Sequence, residues 1–351
     1  MPEYENREEG GNPFADATPP PPVDRLIDRA FKRAFLPKSV PKDLEPLTEA
    51  RVREKMRIMA FRDVLWDTLR SCVRSFPPLE AIHPFYRDLA DVLVGVDRLK
   101  HCLGALEWAA KVVRRVAAIE IRNLNRSNDF AQLEVVRKRA MARMTSVLKR
   151  VSNEIECVRE AAAKLRRLPS IDPYSPAIVL AGAPNTGKST LVRKISSGRP
   201  EVAEYPFTTK GILVGHALFK GVGRVQVIDT PGLLDRPISQ RNVIERQAIV
   251  ALRRLANLIL YVADPTTTCG YTINHQVNLL KEILAEFSEI PVIVALNKAD
   301  MEDLFKKGES PLREVCMSRG IHCLSISAER GDGLEKLVQL LWEELRLASQ
   351  G

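Results

Sequence analysis

Four short segments of this chain carry residue types at spacings that suit a phosphorylated purine. Gly182-Ala183-Pro184-Asn185-Thr186-Gly187-Lys188-Ser189, continued by Thr190, is a glycine-framed loop that ends in a lysine and a hydroxyl. Glycines let backbone N–H groups close around phosphate oxygens, a lysine there reaches the β- and γ-phosphates, and the serine hydroxyl takes Mg²⁺. Asp229-Thr-Pro-Gly232 follows about 40 residues later. Its carboxylate is placed to hold the same Mg²⁺ through water, and the Gly232 amide to meet the γ-phosphate and register its loss. Between them lies Glu204-Tyr-Pro-Phe-Thr208-Thr209-Lys210, where one threonine should complete the Mg²⁺ shell when GTP is bound. Thr209, nearer the following strand, is the choice, with Thr208 in reserve. Lys188, Thr209 and Gly232 are therefore the candidates to act on the transferring phosphoryl group.

Asn297-Lys298-Ala299-Asp300 is the segment that names the base. A carboxylate at Asp300 accepts from both guanine N1–H and N2–H, a pair of donors adenine lacks in that arrangement, and an unpaired buried carboxylate rejects the wrong base. Asn297 fits a bracing role, the Lys298 stem can lie along the base plane, and Ser327-Ala328 fits a backbone contact to guanine O6. A DxxG tetrapeptide alone is common and Ser327-Ala328 alone is an ordinary strand end. The ordered set of four is what points to a guanine nucleotide and its hydrolysis.

Such residues need a sheet to gather them. Apolar runs at 177–182, 223–229, 257–264, 291–296 and 322–327 read as strands, with a hairpin strand near 211–218. Amphipathic stretches near 188–197, 241–254, 273–287, 310–319 and 333–347 separate or follow them. This alternation predicts a mainly parallel sheet with helices on both faces, whose ligands bind at the carboxyl ends of the strands. Every motif above sits at such an end. The loops at 204–210 and 230–247 are the expected switches, ordered by the γ-phosphate and released on hydrolysis.

The N-terminal half has another rhythm. Val23, Leu26, Ile27, Ala30, Phe31, Ala34 and Phe35 form the stripe of an amphipathic helix. Longer helical patterns cover about 48–76, 79–94, 96–126 and 129–167, with a break near Asn125–Asn128 and Asp129 as the next cap. An α-helical bundle over 23–168 is expected, ahead of an α/β domain over 177–351. The segment 169–176, rich in proline, reads as the linker, and residues 1–22 as a flexible or peripherally tethered acidic, proline-rich arm.

With 45% hydrophobic and 28% charged residues the composition is that of a globular protein, and no apolar run approaches the ~18–20 residues of a membrane span. The N-terminus resembles neither a signal nor a transit peptide. Six scattered cysteines without a CxxC pair suggest reduced thiols in an intracellular chain. Of the net charge of +9, residues 1–170 carry +8, and the stretch 111–150 sets 11 basic residues against Glu120, Asp129 and Glu134. If Arg114, Arg115, Arg122, Arg126, Arg137, Lys138, Arg139 and Arg143 share one exposed face, RNA is favoured; dispersal would make them ordinary solvated charges.

GxPNxGKS, YPFTT and DTPG together resemble the Obg-like branch of the translation-factor-related GTPases. Within it, Tyr261-Val-Ala-Asp264-Pro-Thr-Thr-Thr-Cys269-Gly270-Tyr271-Thr-Ile-Asn-His-Gln276 is similar to the nucleolar GTP-binding (Nog) family. A helical domain ahead of the GTPase is also that family's arrangement. The resemblance implies assembly of the large ribosomal subunit and contact with ribosomal RNA and precursor particles. In related GTPases bearing GxPN, the asparagine helps hold a monovalent cation, which makes Asn185 a candidate K⁺ ligand. Nog proteins of eukaryotes carry long extensions after the GTPase, whereas this sequence stops at Gly351, so a compact archaeal-type form in the cytoplasm is expected. The alternative is a nucleotide-regulated adaptor that binds protein rather than ribosomal RNA.

Overall fold

A computed structural model of the chain describes residues 11–348 except 38, 40–43, 204, 206–210, 220–221 and 238–240. The described chain divides into two compact units, one holding residues 13–82 and 93–166, the other holding residues 11–12, 83–92 and everything from Arg167.

The first unit is helical: α1 (Val23–Ala34), α2 (Pro46–Ser75), α4 (Val96–Asn125), α5 (Phe130–Arg150) and α6 (Ser152–Leu165). Each buries one stripe. On α4 it runs Leu99, Cys102, Leu106, Ala109, Val113, Val116, Glu120 and Leu124, every third or fourth residue, facing α2, α5 and α6. Asp129 caps α5 as the sequence suggests, accepting from the Gln132 amide at 2.8 Å. The helix expected over 129–167 is two helices, broken at Val151, whose amide turns back to the Leu148 carbonyl in a tight last turn. Residues ahead of α1 are tethered: Phe14 and Ala17 are completely buried, and the Thr18 amide donates to Ser75 Oγ on α2 at 2.8 Å. Among the described residues, no helix is long and apolar enough to cross a membrane.

The second unit is a seven-stranded sheet in the order β2-β3-β4-β1-β5-β6-β7. Its strands are β1 (Ala177–Ala181), β2 (Glu201–Ala203), β3 (Ile212–Phe219), β4 (Gly223–Asp229), β5 (Leu258–Ala263), β6 (Val292–Leu296) and β7 (Cys323–Ser325). β3 runs antiparallel to β4, and β2 to β3; the rest are parallel. The short edge strand β2 has no apolar run and left no mark in the sequence pattern. Every residue of β1 and β5 is buried, the signature of strands covered on both faces. Leu191 and Val192 of α7 (Lys188–Ile195) and Leu337, Leu341 and Leu345 of α11 (Leu334–Ala348) share one core with Ile178, Leu180 and Leu260. On the opposite face Tyr261 donates its hydroxyl to the Gln276 carbonyl of α9 (Ile273–Glu286) at 2.6 Å.

α8 (Val243–Arg253) begins with a complete capping box between Asn242 and Glu245. α10 (Glu302–Arg319) starts eight residues ahead of the expected 310 and runs through Pro311. A proline inside a helix removes one hydrogen bond, and packing of Phe305, Leu312 and Cys316 outweighs that loss here. α3 (Pro84–Val94) has most of its length in the sheet's unit: the Tyr86 hydroxyl donates to the Pro169 and Ile171 carbonyls, and Asp88 pairs with Arg254 at 3.6 Å.

Candidate nucleotide site

Parallel register places the motifs side by side. Leu180 stands opposite Asp229 across β1 and β4, so Asp229 emerges beside the loop that leaves β1. Gly182 at φ +135° is obligatory there, because a Cβ would lie 2.2 Å from the Val262 carbonyl oxygen on β5. Gly187 opens α7 at φ +100°, and its Cβ would collide with the Asn297 amide at 2.2 Å. Asn185 sits exposed at φ +60°, a left-handed conformation that asparagine tolerates better than most residues, so backbone geometry alone accounts for its residue type. Pro184, Asn185, Lys188, Ser189, Thr190, Asp229 and Gly232 line one cleft of about 570 Å³. Ala183 and Thr186 are buried beneath it, with Thr186 Oγ1 donating to the Ala183 carbonyl at 3.0 Å.

Lys188 is buried, and its ammonium donates to the Gly182 and Ala183 carbonyls, both at 2.8 Å. Burial pulls its pKa down, and the charge of Asp229 partly restores it. The Asp229 carboxyl is pushed above the ordinary carboxylate range by burial, against the opposing pull of Lys188 and the Ser189 hydroxyl. Ser189 Oγ donates to Asp229 Oδ2 at 2.6 Å. Asp229 Oδ1 and Thr230 Oγ1 are buried without a hydrogen-bond partner among the described residues. An acceptor and a hydroxyl left open beside Ser189 suit a hard divalent cation and its waters. Thr208 and Thr209 lie outside the described residues; of that segment Tyr205 is buried, its hydroxyl donating to the Ala248 carbonyl at 3.0 Å.

Beside the glycine loop, Asn297 follows β6 and ties two loops together. Its Nδ2 donates to the Thr186 carbonyl at 2.8 Å, and its Oδ1 accepts from the Ala328 amide at 2.8 Å. The Ala328 amide expected at guanine O6 is thus already engaged, and O6 would have to share that donor. Ser327 is buried and Asp300 is half-buried; the hydrogen bond from Ser327 holds the Asp300 carboxyl below its usual range.

Lys298 brings in a partner that spacing did not identify. At φ +65°, its ammonium donates to Asp264 Oδ2 and Thr268 Oγ1, both at 2.7 Å. Asp264 is completely buried and also accepts from the Thr266 amide at 3.0 Å and the Cys269 amide at 2.8 Å. Burial alone would raise its pKa; Lys298 and Thr266 outweigh that and leave it lowered. Gln276 clamps the same residue, accepting from its amide at 2.7 Å and donating to its carbonyl at 2.9 Å. The one available clue was an acid closing an otherwise apolar strand one element ahead of NKAD.

A mainly parallel sheet of this order, with a glycine loop opening α7, an Asp beside it and NKAD after β6, defines a P-loop GTPase. The family description NOG1 N-terminal helical domain matches residues 14–172, and Nucleolar GTP-binding protein 1 (NOG1) matches residues 243–300. The chain belongs to the NOG1 family of GTP-binding proteins. An uncharacterised protein of Methanocaldococcus jannaschii is 42% identical over 75% of this chain and 73% of its own length. Nucleolar GTP-binding protein 1 of Drosophila melanogaster is 38% identical over 76% of this chain and 41% of its own. The Saccharomyces cerevisiae protein is 34% identical over 79% and 43%. The chain therefore spans under half the length of these two nucleolar relatives. Among solved structures, a nucleolar GTP-binding protein 1 chain from Plasmodium falciparum is 33% identical, covering 52% of this chain and 92% of its own, with a TM-score of 0.45. The expected cytoplasmic address is contradicted, since the eukaryotic relatives carry the name nucleolar. That expectation rested on the position of Gly351, and a chain end holds no information about compartment.

Proposed function

We propose that this GTP-binding chain hydrolyses GTP to GDP and phosphate as a switch in large ribosomal subunit assembly, touching ribosomal RNA through its helical unit. The observation that supports it most is the convergence of the glycine loop and DTPG on one cleft, with Asn297 of NKAD bonded to the Thr186 carbonyl of that loop, in a chain of the NOG1 family. Backbone amides of 182–190 wrap the phosphates, Lys188 reaches the β- and γ-phosphates, and Gly232 meets the γ-phosphate. Ser189, Asp229 and Thr209 would hold Mg²⁺, which neutralises charge between the β- and γ-phosphates. Asn297, Lys298, Asp300, Ser327 and Ala328 frame the guanine.

Intrinsic turnover should be slow. Leu233 stands where Ras-like proteins place a water-orienting glutamine, and it is completely buried as well as apolar. Phosphate release by the isolated chain is expected on the order of 10⁻³ s⁻¹ or below; turnover near ~1 s⁻¹ would contradict this. If Asn185 helps hold K⁺, potassium should accelerate the wild type over sodium and Asn185→Ala should erase the difference. Equal rates in both salts dispose of the cation.

The basic helical stretch supports RNA contact over a smaller area than its composition suggests. Arg139 and Arg143 pair with the buried Glu120 at 2.8 and 2.7 Å, Arg137 with Glu54 at 2.6 Å, and Lys138 with Glu134 at 2.9 Å. Arg114 lies over the Trp66 ring. Arg115, Arg122 and Arg126 make no ion pair among the described residues and are exposed. Arg115 and Arg122 lie on α4 and Arg126 at its C-cap in αR backbone; spaced by seven and four residues, they fall within about 40° of one another around the helix. The test uses the full chain, since α3 has most of its length in the sheet's unit. Reversing these three to Glu should weaken binding to structured ribosomal RNA and lower the slope of log K against log salt by roughly 0.7–0.9 per lost contact. An unmoved slope favours the adaptor reading, which the internal pairing of the other basic side chains supports.

A further inference from the structure

The Gly232 amide is the donor assigned above to the γ-phosphate, and in this structure it donates to Asp235 Oδ2 at 2.8 Å. The other oxygen of that carboxylate is held by Arg241 at 3.1 Å. The Arg241 side chain is completely shielded from solvent and also donates to the Leu233 carbonyl at 2.7 Å and to the Gly232 carbonyl. Asp235 lines the same cleft as Lys188, Ser189 and Asp229. One N–H thus faces two anionic claimants, a carboxylate supplied by the chain and a phosphoryl oxygen supplied by the ligand.

We infer that Asp235 is a specificity-determining residue that occupies the γ-phosphate's place on Gly232 and so weights the cleft toward the nucleoside diphosphate. The inference rests on reading 182–190 and 229–232 as the phosphate end of a guanine-nucleotide site. A single N–H cannot satisfy both oxygens at full strength, so a triphosphate must displace Asp235 before it gains that contact. GDP carries no γ-phosphoryl group and leaves the carboxylate where it is. The negative charge of Asp235 adds to the cost for the triphosphate alone, because the displaced carboxylate stays close to the incoming phosphoryl group until the loop rearranges. Arg241 sets how firmly the carboxylate is held: its fixed fork binds two backbone carbonyls and Asp235 together, so Asp235 and the Gly232–Leu233 turn move as one piece. Pro231 has no N–H and cannot substitute for the Gly232 donor.

Asp235→Asn keeps an acceptor of the same shape and removes the charge; Asp235→Ala removes both. Equilibrium affinities for GDP and for a non-hydrolysable GTP analogue, each with Mg²⁺, would be measured on the full chain for wild type and both variants. The ratio of analogue affinity to GDP affinity is expected to rise about tenfold in Asp235→Ala, the worth of one charge-assisted hydrogen bond, with Asp235→Asn between. A ratio that stays put, including one in which both affinities fall in parallel through general loosening, overturns the role of Asp235. A wild type that binds neither nucleotide overturns instead the reading of the cleft on which the inference stands.

Discussion

Asp300→Asn is expected to weaken GDP binding by roughly 10³–10⁴-fold and to create affinity for xanthosine diphosphate. In the proposed site guanine would present two donors, N1–H and N2–H, to this position, and a carboxylate offers two acceptors. The Ser327 hydrogen bond holds the Asp300 carboxyl below its ordinary range, so the acid is ionised wherever the protein is folded near neutral pH. An amide in its place turns one acceptor into a donor aimed at a donor, and an unmatched polar pair costs far more than a missing contact. Xanthine replaces the 2-amino group with a carbonyl and restores the match. Titration of both diphosphates against wild type and variant decides it, and an unchanged GDP affinity would remove Asp300 from the base site.

The second large effect is expected at Asp264. Replacing it with Ala strands the Lys298 ammonium, the Thr266 hydroxyl and the Cys269 amide around an empty space. Breaking a buried ion pair from one side costs about 3 kcal/mol or more. Lys298 also loses the anchor that fixes its left-handed backbone within 297–300, the loop proposed to hold guanine. Denaturant unfolding should show the stability loss, and GDP affinity should fall with it; a variant that melts with the wild type would refute this. The pH dependence has a defined sign. The folded carboxyl titrates below its unfolded value of about 3.9, so its contribution is present above that pH and disappears as pH falls through the lower, folded value. Asp264→Asn should lack this acid-limb component.

That Gly182, Lys188 and Asp229 come together at adjacent strand ends was legible, because the loop's backbone requirements write themselves into consecutive residues of the local sequence. Asp300 was named on the same kind of local signal, and its place at the base is a proposal. Asp264 was not legible, because its partner Lys298 lies 34 residues away. Only the pairing of Ala263 with Leu296 across β5 and β6 brings them together. Glu120 taught the same lesson about charge. Its arginines are 19 and 23 residues distant, so a surplus counted along the chain became an internal neutralisation in space. The break at Val151 has no proline or glycine to announce it, while Pro311 announced a boundary that core packing overrides. The sheet read well because its apolar runs are short and continuous; the strand order did not, since it depends on contacts between runs that no single run contains.

Asn297 has a consequence for how any of these substitutions is measured. One amide group splints three strand ends, fastening the loop after β1 to the loop after β7 across its own position after β6. Whatever loosens the loop proposed for the purine relaxes the loop proposed for the polyphosphate as well, and the reverse. Free energies obtained separately at Gly187 and at Ala328 therefore share a term, and their sum will differ from the double variant's. The two ends of the nucleotide are weighed on a single beam.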